Sequence, residues 1–198
     1  MEKTQQLYEI QKDEIQNYPL DHYRGEIVLV DNQEGLREFY KEDIFANYDV
    51  IGFDTESKPS FKKGQVNKLA LFQFATPHAV YLVRLNKIGG IPEKLASMMR
   101  NYHGTMVGIS LADDWREIRK LKIDAKPECV IDLNELAMKK GFVSIGAKKL
   151  SALLLGIRIS KRQQVSNWEA DELSEPQMIY AATDAWICRG IYFKLLTL

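Results

Sequence analysis

Val50-Ile51-Gly52-Phe53-Asp54-Thr55-Glu56 reads as a strand that runs out of a hydrophobic interior into two acids. Valine, isoleucine and phenylalanine favour the extended chain, and alternation along a strand puts Asp54 and Glu56 on one face. Two carboxylates that close repel each other: at about 4 Å and an effective dielectric near 20 the penalty is roughly 4 kcal/mol. The pair therefore needs a cation, a shared proton or open water. A strand end dissolving into a polar loop is the plainer reading of the pair by itself.

Working outward, residues 26–30 read as a short strand followed by a helix over 33–45. The apolar runs 68–75 and 79–83 flank Thr76-Pro77-His78, a turn signal that predicts an antiparallel hairpin. In 92–102, Leu95, Met98, Met99 and Tyr102 fall at helical spacing. Residues 106–110 and 129–133 are strand-like, and helices are expected from Asp114, over 133–140 up to Gly141, and over 148–155 up to Gly156. Ser174-Glu175-Pro176-Gln177 starts the last helix, with serine at the N-cap, glutamine at N3 and proline in the first turn. This order predicts one α/β domain over 26–198, a mixed sheet of five to six strands between helices, in place of a bundle or barrel. Residues 1–25 are expected to form a helical extension, with a polar helix over 7–18 ended by Pro19.

Further acids fall on other elements. Asp114 follows an apolar strand and stands where a helix begins, so an N-terminal acid favoured by the helix dipole is its plainer reading. Asp113 is adjacent and could take its place. Tyr180 and Asp184 lie four apart in Tyr180-Ala181-Ala182-Thr183-Asp184-Ala185-Trp186 and share a helix face. The alanines let that helix approach a sheet closely, where an acid is unfavourable unless paired or metal-bound. Four carboxylates around one point suit oxygen-seeking Mg²⁺ or Mn²⁺. Two such ions can activate a water and stabilise the leaving oxygen of a phosphodiester. A tyrosine one turn before a ligand can hold the attacking water. His22, His78 and His103 are isolated and read as surface or packing residues.

The chain is 198 residues long, enough for one sizeable core. It contains no apolar run of 18 residues, which excludes a transmembrane helix and predicts no membrane partner. Its first 19 residues have no apolar stretch of the secretory kind, and Cys129 and Cys188 show no disulfide or zinc spacing, so a reducing cytoplasm is expected. Zero net charge argues against coating nucleic acid by bulk electrostatics. The distribution is uneven, however. Residues 136–168 hold Lys139, Lys140, Lys148, Lys149, Arg158, Lys161 and Arg162 and no acid before Trp168, which reads either as a solvated helix face or as a phosphate-contacting flank.

With these motifs in view, the chain resembles the DEDD 3′–5′ exonucleases of the ribonuclease H-like superfamily, in the tyrosine-bearing branch. Phe53-Asp54-Thr55-Glu56 matches the D-x-E motif, and Val107-Gly108-Ile109-Ser110-Leu111-Ala112-Asp113-Asp114, read without gaps, selects Asp114 over Asp113. Tyr180-Ala181-Ala182-Thr183-Asp184 matches Y-x-x-x-D, and Ser166-Asn167-Trp168 upstream fits the group that includes the exonuclease domain of the Werner syndrome helicase, with ribonuclease D more distant. The resemblance covers roughly residues 27–198. It implies a ribonuclease H-like three-layer fold, with Asp54, Glu56, Asp114 and Asp184 binding two divalent ions (Mg²⁺ or Mn²⁺) and Tyr180 orienting the water. It also implies hydrolysis of DNA or RNA from the 3′ end to nucleoside 5′-monophosphates, without an organic cofactor.

Thr55, Lys148, Lys149, Lys161, Arg162 and Trp168 are the candidate substrate contacts, although Trp115, Trp168 and Trp186 sit at core-like spacing. Lys58, Lys62, Lys63 and Lys68, around the segment after the D-x-E motif, have no secure counterpart in the family, nor does the N-terminal extension. Neither a helicase segment nor an appended RNA-binding domain is seen, so a stand-alone enzyme, or one that borrows specificity from a partner, is expected. Three alternatives remain open: a silent binding module of the same fold, a ribonuclease D-like RNA-trimming enzyme, and a metal phosphodiesterase acting on small nucleotides.

Overall fold

The structure is a computed structural model and describes residues 7–58 and 69–198. Its six strands are β1 (Glu26–Val30), β2 (Val50–Ser57), β3 (Leu69–Ala75), β4 (Ala79–Arg84), β5 (Thr105–Gly108) and β6 (Val130–Asp132). They form one mixed sheet in the order β1-β4-β3-β2-β5-β6. The hairpin expected around Thr76 is present: β3 and β4 pair antiparallel, and Thr76 closes the turn by accepting from Ala79 N–H at 3.1 Å. β2 pairs antiparallel with β3 and parallel with β5, and so lies at the centre.

Between these strands run α1 (Gln33–Glu42), α2 (Ile44–Asn47), α3 (Leu85–Ile88), α4 (Glu93–Arg100) and α5 (Leu111–Lys120). The chain ends with α6 (Leu133–Lys139), α7 (Ala147–Leu150), a π-helical turn (Ser151–Leu155) and the long α8 (Glu175–Leu196). The helix expected over 33–45 is broken at Asp43, whose left-handed φ of 39° separates α1 from α2.

Alternation along β2 divides its side chains between two layers. Ile51 and Phe53 enter an aromatic core with Phe39, Phe72, Phe74 and Trp115, and Trp115 stacks on Phe53 at 5.3 Å. Gly52, Asp54 and Glu56 turn to the opposite layer, which holds α8. A Cβ on Gly52 would stand 2.2 Å from the carbonyl oxygen of Ala185, so only glycine lets α8 come this close. Ala181, Ala182 and Ala185 are buried at that contact, as small residues in a close helix–sheet approach should be.

Two further local expectations are corrected. Residues 7–18 are not one helix: only Glu14–Asn17 turns, as a 3₁₀ helix. Tertiary bonds claim the rest, because Tyr8 bridges Phe142 and stacks on its ring, while Ile10 N–H donates to Ser144 Oγ at 3.2 Å. The second correction concerns α5, which begins at Leu111, three residues before Asp114. Its first N–H is capped from the neighbouring strand β6, by Asp132 Oδ2 at 2.9 Å, and no local sequence signal announces such a cap.

Candidate metal-dependent nuclease site

Asp54 and Glu56 on β2 and Asp184 on α8 converge: each offers a carboxylate oxygen, and the three oxygens lie within 4.8 Å of one another. Asp184 is only 4% exposed. Tyr180, one helical turn earlier, also lines the cleft, which has a volume of about 340 Å³. Ile109, Ser110, Gly146, Ala147, Gln164 and Cys188 also line it.

The start of α8 is built for position. Gln177 accepts from Ser174 N–H at 3.0 Å in the capping box, and its amide donates to Asn167 O at 3.3 Å, which ties the helix to the Ser-Asn-Trp segment. Trp168 of that segment is fully buried and packs 5.8 Å from the Tyr180 ring. It therefore supports Tyr180 from below and has no surface to offer a nucleobase, which corrects its reading as a substrate contact. From the other side, Thr183 Oγ1 accepts from Tyr23 N–H at 3.0 Å, so the N-terminal segment pins α8 one residue from Asp184.

Asp114 lies in the opposite layer. It is bonded to the hydroxyl of Thr55, the β2 residue between the two strand acids, and does not enter the three-oxygen cluster. Asp113 is exposed and paired with Arg116 on its own helix, whereas Asp114 turns to β2. Thr55, expected to touch substrate, lines the cleft while anchoring Asp114.

Of the candidate basic contacts, Lys161 is inside the cleft, with Nζ 2.9 and 2.8 Å from the two Asp184 oxygens and 3.4 Å from the Tyr180 hydroxyl. Arg162 is exposed and lines a neighbouring cleft of about 560 Å³ with Leu20, His22 and Pro176. Lys148 is exposed and Lys149 half-buried on α7, beside the cleft residues Gly146 and Ala147. Lys58 reaches Glu169 at 3.6 Å, and Lys62, Lys63 and Lys68 lie outside the described residues. Asp132 was missed in the sequence because its work is tertiary: one oxygen caps α5 and the other accepts from Asn134 N–H at 2.9 Å to start α6.

Crowding makes these acids hard to ionise together. Burial, then the charges of Asp184 and Asp114, hold the Asp54 carboxyl well above its usual range. Burial and the Asp54 charge push Glu56 to about 9, and burial raises Asp114 to about 6. Burial also raises Asp184, with Lys161 opposing it. The same burial, with the nearby carboxylates, raises the Tyr180 hydroxyl, which therefore stays protonated and able to donate. A cluster of oxygen-only donors that resist sharing negative charge fits hard divalent cations.

Comparison with known proteins agrees with this geometry. Residues 27–198 match the model of the 3′–5′ exonuclease family. The chain belongs to the 3′–5′ exonuclease family. It is 30% identical over 189 residues to the mouse bifunctional 3′–5′ exonuclease/ATP-dependent helicase WRN, a match covering 90% of this chain but 13% of that protein. The exonuclease fold is shared with the Nibbler EXO domain of Aedes aegypti, at a TM-score of 0.80 and 23% identity over 89% of this chain and 91% of that one. It is shared also with Escherichia coli RNase D, an exoribonuclease involved in structured RNA processing, at a TM-score of 0.75 and 22% identity over 88% of this chain and 45% of that one. These neighbours make the fold ribonuclease H-like, the mixed three-layer architecture expected from the sequence. Exonucleases of the family use divalent metal ions, in keeping with the acidic cluster.

Proposed function

We propose that this chain is a metal-dependent exonuclease of the tyrosine-bearing DEDD type, removing nucleoside 5′-monophosphates from the 3′ end of DNA or RNA. The observation that carries the reading is the convergence of Asp54, Glu56 and Asp184 in one cleft with Tyr180 beside them. Asp54, Glu56 and Asp184 would hold divalent ions, Mg²⁺ or Mn²⁺, with Asp114 turning in from α5 as a fourth ligand. Ions held there would supply Lewis-acid activation of a water and stabilisation of the leaving oxygen.

The chain's own residues do the positioning. Tyr180, protonated at neutral pH, donates its hydroxyl to the attacking water and sets its direction. Gly146 and Ala147 line the cleft, and the lysines that follow them on α7 give an incoming phosphate backbone a positive flank. Membership of a family whose members include exonucleases of nucleic acid supports a polymer substrate. No helix among the described residues is long and apolar enough to cross a membrane. An exposed free thiol such as Cys129 suits a reducing compartment, the cytoplasm.

The test is a nuclease assay on 3′-labelled and 5′-labelled single-stranded, duplex and recessed DNA and RNA, with Mg²⁺, Mn²⁺ or chelator. Metal-dependent release of labelled mononucleotide from the 3′ label, with stepwise shortening of 5′-labelled strands, is expected. Binding of the strands without shortening would make the chain a silent module instead.

A further inference from the structure

Lys161 comes from the irregular segment after Ile159, and the backbone before it is firmly held. Ile159 is buried in the core, and Arg158 N–H donates to Pro19 O at 2.9 Å. From that anchor the side chain reaches into the acid cluster and gives its ammonium to both oxygens of Asp184, resting 5.1 Å from the centre of the Tyr180 ring. The two partners differ in access. The Lys161 side chain keeps 20% of its surface exposed and that of Asp184 keeps 4%. The lysine therefore has a way out to solvent, whereas the carboxylate stays where the helix puts it. A flexible four-carbon stem carrying a compact charge suits such a movement.

A metal ion bound through Asp184 needs the same oxygen lone pairs that Lys161 now occupies, and it repels the ammonium at close range. We propose that Lys161 is a built-in counter-cation that competes with the divalent metal for Asp184 and must withdraw when metal binds. In this role it offsets the repulsion among Asp54, Glu56 and Asp184 before metal arrives, keeps the three acids together, and sets how much metal is needed to load the site. The inference rests on the reading of the acid cluster as a metal site. Lys161 is thus a positioning residue whose effect is read in metal affinity, apart from turnover.

The experiment is isothermal titration of Mn²⁺ into the whole chain without nucleic acid, for wild type, Lys161→Met and Lys161→Arg, each checked for fold by circular dichroism. Removing one nearby positive charge should tighten Mn²⁺ binding by Lys161→Met about tenfold or more. Lys161→Arg keeps the charge and should stay close to wild type. In chelator, Lys161→Met should melt below wild type, since the acids lose their counter-charge, and should gain more from Mn²⁺. Lys161→Gln repeats the neutral case should the methionine variant fold poorly. Mn²⁺ binding by folded neutral variants that is equal to or weaker than wild type would overturn the competition while leaving the metal site intact. Absence of Mn²⁺ binding in wild type and neutral variants alike would overturn the metal reading itself, and this inference with it.

Discussion

Thr55 donates its hydroxyl to Asp114, joining the residue between the two strand acids to an acid on a helix in the opposite layer. Asp54 and Glu56 turn toward α8 and Thr55 toward α5, so a single strand organises carboxylates from both sides of the sheet. The hydrogen bond fixes where the Asp114 carboxylate stands beside β2. Thr55→Val keeps the shape and β-branching but loses the hydroxyl, so the fold should persist while Asp114 loses its anchor. Loss of a partner that orients a metal ligand typically lowers metal affinity or activity by about 10- to 100-fold. Mn²⁺ titration and single-turnover cleavage of a labelled oligonucleotide check this; a Thr55→Val enzyme equal to wild type in both would place Asp114 outside the functional set.

The acid pair on β2 should destabilise the metal-free protein. Asp54→Asn removes a carboxyl that burial and the neighbouring Asp184 and Asp114 keep from ionising as freely as in the unfolded chain, so the variant should melt higher than wild type in chelator while losing catalysis. For a chain of this size each kcal/mol of relief raises Tm by roughly 2–4 °C. Millimolar Mg²⁺ should then raise Tm in wild type and much less in Asp54→Asn, because a ligand bound only by the native state stabilises it by mass action. A variant that melts lower than wild type in chelator would show that Asp54 is structural.

The same crowding sets a pH dependence. Burial and the Asp54 charge raise Glu56 from 4.5 to about 9, and burial raises Asp114 from 3.8 to about 6. A raised carboxyl means that the folded state keeps a proton the unfolded chain has already released. Metal-free stability is therefore highest at low pH within this window and falls as pH rises from about 4.5 to about 9. Metal binds the deprotonated site, so its stabilising effect should grow over the same range. Thermal melts in chelator and in Mg²⁺ across this range test both trends, and Glu56→Gln should flatten the metal-free slope. A metal-free Tm that rises from pH 6 to 9 would contradict the sign.

Trp168 gives a prediction about the wall under the tyrosine. Replacing a fully buried tryptophan by alanine destabilises a core by about 3–5 kcal/mol, so Trp168→Ala should melt roughly 6–20 °C below wild type. Activity should fall through loss of Tyr180 positioning, while KM for the nucleic acid in folded protein at low temperature changes little. A large KM effect with unchanged Tm would restore Trp168 as a stacking surface.

Much of this site was legible because local chemistry placed it. The period-2 face of Asp54 and Glu56, the i, i+4 face of Tyr180 and Asp184, and the Ser174–Gln177 capping box are rules of one strand or one helix, and the structure keeps each of them. What sequence reading missed is tertiary. Asp132 caps α5 from a strand 21 residues away in sequence, and Tyr8 and Ile10 exchange helical bonds for partners near residue 142. Lys161 read as one member of a basic run, because nothing local distinguishes it from Arg162, which faces a different cleft. Nothing local in the sequence marks Gly52 as the strand glycine against which Ala185 O lies.

Tyr180 separates orientation from metal binding. Its hydroxyl lies 3.4 Å from Lys161 Nζ, and its ring is held by Trp168, so Tyr180→Phe removes one oxygen and leaves the packing intact. Burial and the adjacent carboxylates keep that hydroxyl protonated, which makes it a donor and excludes it as a base near neutral pH. A group that positions a water or its proton in the transition state contributes on the order of 100-fold or more. Tyr180→Phe should therefore lower kcat by about that factor, with KM and Mn²⁺ affinity near wild type and Tm almost unchanged. Because a protonated hydroxyl does not titrate in the working range, the residual activity should keep the wild-type pH profile. A shifted profile, or a loss of Mn²⁺ binding comparable to the loss of rate, would assign Tyr180 to the metal site in place of the water.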